Sequence, residues 1–417
     1  MNKNTFVVGY FVKNKTRFTC FDDGCKIQVQ IARQSKEYSF QKLMKSIIGK
    51  LLTMSTSSNE VFYDYNVVSA RWLDNINFEI YYDFRIKRLK DRKCHFIQFG
   101  SKDIDVFGQN HDFLNSVIEL FKAKKSSLTK HELAINFEFL GNNYSLKIYN
   151  GLLAPIEMSH NISFSTFITI GSRNSIDTST ILELFKLIKK TISFLVYRKN
   201  INFDFVDLYE KYESEETLNS LYGKLYYSAK MTNHIFGNYS SNQMIKSNSV
   251  GSYLKQIIEA IANGTISCDY IPNETDSYNS IFINTTAWLQ SFFREYAKKD
   301  LKYKVLKIGV RIGKKRVEFG TMIDTLKDYS KEYSEKTIAS QLSYFSLFND
   351  THKFENDFTK QIVKIRNDLC HGSVNYEKYK YVKLYLTILQ VILYASILKF
   401  IGVDKEKADK ALEQLFL

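Results

Sequence analysis

At 417 residues the chain is long enough to bury an ample core and is expected to form two or three domains. Its 58 Lys and Arg against 44 Asp and Glu give a formal charge of +14, an excess that favours polyanionic partners such as nucleic acid. Five scattered cysteines argue against a disulfide framework, and Phe6-Val7-Val8-Gly9-Tyr10 is too short for the apolar region of a secretory signal, so a reduced, cytoplasmic setting is expected.

Residues 1–205 carry short alternating runs broken by turn signals, which predicts a mostly β module. Phe18 to Ile31 holds Asp22-Asp23-Gly24 between two strand-like runs, the pattern of a hairpin. Phe78–Tyr82, Ile135–Phe139, Tyr144–Ile148 and Phe164–Ile170 read as further strands, with Asn142-Asn143 as the turn before Tyr144. Helical spacing interrupts at Phe40–Leu52, His111–Lys124 and Thr180–Leu195. Cys20 and Cys25, with Cys94-His95 elsewhere, offer four ligand types for zinc, but the spacing fits no standard zinc motif and no metal is assigned.

Residues 206–274 read as a helical connector with a helix at Ser249–Ala262, and Pro272 with the polar run Asn273–Ser277 marks a boundary. From about residue 275 to 417 the spacing predicts an all-α bundle: Ser280–Lys298, Thr321–Tyr329, Lys336–Phe348, Lys353–Leu369, Tyr376–Phe400 and Lys405–Leu415. The fold class expected is therefore α+β and multidomain, a β-rich N-terminal module followed by a helical bundle. Leu384 to Val403 approaches membrane-spanning length, but Gln390, Lys399 and the charged flanks favour a central bundle helix, and no membrane partner is expected. Between the first two bundle helices, Lys302, Lys304, Lys307, Arg311, Lys314, Lys315 and Arg316 occur with no acid among them, a candidate RNA-phosphate strip or an ordinary basic connector. Gly309 to Lys315 has only three residues between its glycines and no Ser or Thr after the lysine, so it fails the phosphate-loop pattern.

The strongest chemical signal is Ile362-Val363-Lys364-Ile365-Arg366-Asn367-Asp368-Leu369-Cys370-His371-Gly372. Arg grips phosphate through a planar fork, His exchanges protons near neutrality, and Asn holds an imidazole or phosphate oxygen in place. Together they suit RNA cleavage by its own 2′-hydroxyl, which needs proton transfer and charge stabilisation but no external nucleophile. Four residues apart, Asn367 and His371 share a helix face within about 40°, whereas Arg366 and His371 stand about 140° apart. Two such helices facing across a two-fold axis would pool their groups around one cleft, and the apolar Leu384–Phe400 helix is available for association. Gly372 suits the residue that ends the helix. Asp368 either orients its neighbours or forms a solvated pair, Cys370 reads as packed, and Arg294 and Glu295 either line the cleft or bridge on the helix surface.

The Arg366-Asn367…His371 pattern resembles the motif of the HEPN superfamily, most of whose active members are metal-independent ribonucleases. Residues 275–417 look like a HEPN domain of the ApeA-like branch, found in bacterial anti-phage abortive-infection proteins, with a close match over Ile365 to Gly372 and a loose one over Thr286 to Glu295. The β-rich half is similar in size and placement to the module preceding HEPN in ApeA proteins. The resemblance implies catalytic roles for Arg366, Asn367 and His371, RNA as substrate, a cyclic-phosphate product, no cofactor, a homodimer through HEPN, and activation by a phage-derived signal sensed by the N-terminal module. The alternatives are an inactive HEPN module for dimerisation or RNA binding, and the toxin of a toxin–antitoxin pair. The intact Arg, Asn and His favour the nuclease.

Overall fold

The computed structural model describes residues 7–13, 16–31, 40–56, 58–73, 77–90, 92–101, 104, 107, 132–153, 163–199, 201, 203–210, 220–227, 245, 247–272, 276–307, 309–346, 351–371 and 382–417. Six strands open the fold: β1 (Val7–Lys13), β2 (Thr16–Asp22) and β3 (Lys26–Ile31), which alternate buried with more exposed residues, then β4 (Leu51–Thr56), and β5 (Val61–Trp72) and β6 (Asn77–Leu89), which carry runs of three consecutive buried residues. They pair antiparallel in the order β1-β2-β3-β6-β5-β4, and β4 returns to β1, closing a barrel. Phe11, Phe18, Ile27, Val29, Met54, Tyr65, Phe78 and Ile80 fill it, as the small diameter of a six-stranded ring requires. Helix α1 (Phe40–Ile47) packs Leu43, Met44 and Ile47 into the same core. The expected hairpin through Asp22-Asp23-Gly24 is β2–β3. The expected helix Phe40–Leu52 is shorter, because Gly49 turns the chain at φ 73° and Leu51 begins β4.

A buried ionic knot lies at the end of β2. Asp22 is fully buried and accepts hydrogen bonds from Tyr65 Oη at 2.9 Å, Tyr82 Oη at 2.8 Å and the Gly24 amide at 2.8 Å, while Arg85 completes it as an ion pair. Burial opposes the charge on Arg85, but the Asp22 carboxylate outweighs it and leaves the guanidinium pKa raised. Burial, reinforced by the same carboxylate, pushes the Tyr65 and Tyr82 hydroxyls up.

The first half of β6 pairs with β3 and the second with β12 (Ser220–Tyr227), so one long strand belongs to the barrel and to an adjoining sheet. That sheet runs on through β11 (Phe205–Glu210), β7 (Cys94–Gly100), β10 (Ser163–Ile176), β9 (Asn142–Leu153) and β8 (Glu132–Phe139). The turn between β8 and β9 is Leu140-Gly141, both at positive φ, rather than the expected Asn142-Asn143, which open β9. Strands β11 and β12 also correct the expected helical connector: it begins as two strands, because Val206 and Leu208, two apart, and Tyr222 and Leu225 are buried on the sheet. The connector's expected helix is two pieces, α3 (Ser247–Val250) and α4 (Leu254–Ala262). The helix expected at His111–Lys124 lies outside the described residues.

Helix α2 (Thr178–Val196) joins the sheet to the helices. Its Phe185 ring stands 5.1 Å from Phe84 and 5.5 Å from Phe203, while Phe194 stacks on Tyr394 at 4.9 Å and Tyr394 Oη donates to the Phe194 carbonyl. Thr178 Oγ1 donates to Asp64 of β5, which also receives Arg88 and Thr53, tying the start of α2 to the barrel wall. The sheet, α2 and the helices share one buried cluster, whereas the barrel core is a separate one.

The C-terminal helices are α5 (Tyr278–Lys299), α6 (Phe319–Ser346), α7 (Thr351–Cys370), α8 (Val382–Phe400) and α9 (Lys405–Phe416). The two helices expected at Thr321–Tyr329 and Lys336–Phe348 form one, since buried Ser330, Ser334 and Thr337 carry α6 through a stretch that lacks apolar spacing. The Ser330 hydroxyl donates back to the Leu326 carbonyl at 2.8 Å, which makes its burial cheap. Helix α8 is apolar around its circumference and buried along Leu384–Leu398, as expected of a central helix. That burial overturns its second expected use: its apolar faces are occupied by α5, α6, α7 and α9 and do not offer a surface for association. The bundle is also not purely helical, because three short strands, β13 (Tyr303–Val305), β14 (Val310–Ile312) and β15 (Lys315–Arg316), follow α5.

Candidate functional site

Helix α7 has two unlike faces. Phe358, Ile362 and Ile365, spaced i, i+4 and i+7, are buried against the bundle, with the Phe358 ring 5.9 Å from that of Tyr385 on α8. On the opposite face Lys360, Lys364, Asn367 and His371 are all exposed, again at helical spacing. His371 is the first residue beyond the helix, and its backbone amide donates to the Asn367 carbonyl at 3.0 Å, continuing the helical hydrogen-bond pattern. Gly372 lies outside the described residues.

Arg366 occupies the edge between these faces and is half-buried. Its guanidinium lies 4.9 Å from the ring centre of Phe319, the first residue of α6. The neighbouring Gly320 faces Thr359 and Val363 of α7: a Cβ there would make ordinary contacts, 3.4 Å from Thr359 Cγ2 and 3.6 Å from Val363 Cγ2. Thr359 Oγ1 also donates to Asp324 at 2.6 Å, so the start of α6 is fastened along the Thr359–Val363–Arg366 edge. A cation–π contact of this kind uses no hydrogen-bond donor, so the guanidinium N–H groups can still take phosphate oxygens. Among the described residues no carboxylate forms an ion pair with Arg366.

Within one chain, then, Asn367 and His371 share a solvent face with two lysines, and Arg366 sits around the helix from them. Lys360, Lys364 and Phe319 are the residues that sequence reasoning missed. The lysines were discoverable, since they extend the Asn367–His371 stripe by one and two turns; Phe319 carries no such signal, because its contact depends on how α6 crosses α7. Asp368 is half-buried, whereas Cys370 is exposed rather than packed, since the core-facing arc of α7 is already filled by Ile362 and Ile365. The clefts of about 550 Å³ between α5, α6, α8 and α9 and of about 480 Å³ between α6, α7 and α8 are lined by other residues.

The seven cations of the basic strip are sorted by the meander β13-β14-β15. Lys304, Arg311 and Arg316 are direct cross-strand neighbours and all three are exposed. Lys302 lies 3.5 Å from Asp300, Lys307 and Lys314 flank the strands, and Lys315 pairs in register with Ile312 and Tyr303 on the alternate set. Gly309 and Gly313 make the two turns at φ 92° and 56°, so this stretch is a β-meander with no phosphate-loop geometry. Arg294 donates to the carbonyls of Leu306 and Lys307, and Glu295 forms a surface pair with Lys298, so neither reaches α7.

Cys20 and Cys94 sit in different cores, where burial pushes both thiols up to about 12. Among the described residues no group of three or more His, Cys, Asp or Glu is placed to hold a metal. In comparisons with protein-family models, curated proteins and solved structures, nothing matches this chain.

Proposed function

We propose that the chain is a metal-independent endoribonuclease of the HEPN type, similar to the ApeA-like branch and acting in anti-phage defence, with its catalytic face on α7. The observation that carries this reading is the pairing of exposed Asn367 and His371 on one lysine-flanked face with an Arg366 guanidinium stacked on Phe319 and unpaired with any described carboxylate. In the proposed step His371 accepts the 2′-hydroxyl proton. The 2′-oxygen bonds to phosphorus, the bond to the 5′-oxygen breaks, and that oxygen takes a proton from a second His371 or from water. Arg366 donates to the non-bridging oxygens, Asn367 orients the phosphate, and a cyclic phosphate remains. An open, convex helix face makes a cleft only against a second surface, which supports a dimer built through α7. The β-rich half is proposed to sense the infection signal, and α2, anchored at Asp64 and at Tyr394, is the rigid link between them. Incubating the purified chain with total RNA tests this reading: fragments ending in cyclic phosphate support it, and intact RNA at working concentration, with retained RNA binding, favours a binding-only module.

Arg366→Lys keeps the charge but loses the planar fork that grips phosphate, so cleavage is expected to fall by about tenfold or more. Near-normal turnover in that variant would reduce Arg366 to a general positive charge. Chelators are expected to leave cleavage unchanged; loss on adding EDTA that Mg²⁺ or Zn²⁺ restores would refute the metal-free mechanism.

The composite site is tested by mixing Arg366→Ala and His371→Ala chains carrying different tags. Once co-purification shows subunit exchange, the mixture is expected to regain activity above either variant alone. A monomer that cleaves at the full rate would refute it.

A further inference from the structure

We propose that the meander β13-β14-β15 is a sequence-independent clamp for the phosphate backbone of a single-stranded RNA, delivering the strand to α7; this rests on the reading of α7 as the cleavage face. Cross-strand register sets Lys304, Arg311 and Arg316 side by side, with Arg311 between the other two. Neighbouring strands lie about 4.8 Å apart, so three exposed cations stand in a row about 10 Å long. Like charges directly opposite one another in a sheet are destabilising. No described carboxylate relieves them, whereas Lys302 on the same segment has Asp300. A polyanion laid along the row removes that repulsion and releases its own counterions.

The row is held in place. Tyr303, on the alternate set, packs its ring 5.4 Å from Phe293 and 6.4 Å from Tyr296 on α5. Arg294 donates to the carbonyls of Leu306 and Lys307 at 3.1 and 2.9 Å, and the Val317 amide donates to the Val310 carbonyl at 2.8 Å, extending the meander to the base of α6. Arg316 is three residues from Phe319, a reach of about 10 Å at most, and Phe319 carries Arg366. The phosphate row and the ring that the candidate catalytic arginine contacts therefore share one short segment of chain.

The row also offers no aromatic platform for bases. Its side chains are Lys and Arg only, and the one aromatic on these strands, Tyr303, is engaged with α5. With no free ring to stack on, the row is suited first to phosphates, which carry no sequence information. It is accordingly blind to the sugar as well, and discrimination of RNA from DNA falls to the 2′-hydroxyl step at α7. A single strand is the substrate form this requires, because in-line attack by the 2′-oxygen demands a nucleotide free to leave duplex geometry.

The test uses the full chain carrying His371→Ala, with labelled oligouridylate and oligothymidylate of about twelve nucleotides, within the site size common for single-strand binders. Both are expected to bind alike. Lys304→Gln, Arg311→Gln and Arg316→Gln together are expected to weaken both and to lower the slope of log affinity against log salt by about 2, at about 0.7 for each phosphate no longer neutralised. The same net change at remote Lys255, Lys336 and Lys410 is expected to leave the slope near that of the parent, and Arg311→Lys with Arg316→Lys is expected to retain it. An unchanged slope in a triple variant that melts like the parent overturns the clamp. So does an equal loss from the remote triple, a parent chain that binds neither oligonucleotide, or a row needed for phosphatidylserine vesicles but not for oligonucleotides. Failure of the nuclease reading looks different: with His371 restored, the oligouridylate stays intact while the row-dependent binding persists.

Discussion

Replacing His371 with alanine is expected to slow RNA cleavage by about 10²-fold or more, the usual cost of losing a general acid–base. The side chain stands exposed just past the end of α7, so its removal takes nothing from a packed core. The one described hydrogen bond made by the residue, from its amide to the Asn367 carbonyl, is retained by any residue except proline. Thermal unfolding and elution volume are therefore expected to match the parent, which separates a chemical loss from a folding one. Full cleavage by this variant would remove His371 from the mechanism.

Asp22→Ala is expected to destabilise the barrel by about 3–5 kcal/mol, the range for breaking a buried ion pair by deleting one member. Both carboxylate oxygens are used, and the substitution removes the Asp22 partner of Arg85, of two tyrosine hydroxyls and of the Gly24 amide at a fully buried position. Arg85→Met in the same chain is expected to recover part of the loss, because the uncompensated charge disappears with it. Denaturant unfolding followed by tyrosine fluorescence is the measurement, and an unchanged midpoint for Asp22→Ala would show that the knot contributes nothing. The barrel core is separate from that of the sheet and helices, so the lost stability is expected as an earlier, partial transition.

Local patterns account for what was legible in the amino-acid order. Alternation around Asp22-Asp23-Gly24 marked the β2–β3 hairpin, because a two-residue period and a turn both act over a few neighbours. Helical spacing placed Ser280–Lys298 within two residues of α5 at each end, and it marked α8 as a buried helix, since an all-apolar circumference has no solvated face. The angular separation of Arg366, Asn367 and His371 followed from helix geometry alone, and in the structure these groups occupy one helix and its first following residue.

What the sequence left open depends on partners distant along the chain. Strands β11 and β12 read as helical because their alternation is short, and only the sheet edges of β6 and β7 select the extended form. The continuity of α6 depends on small hydroxyl residues packed out of solvent, which a polarity pattern reads as a break. Pairing of β3 with β6 and of β4 with β1 completes the barrel and sets the interior that Asp22 faces. Strand register puts Lys304, Arg311 and Arg316 abreast, where the linear order shows only a scatter of cations. The stack of Arg366 on Phe319 exists only where α6 crosses α7, since side-chain contacts between helices are set by packing and not by the propensity of either helix.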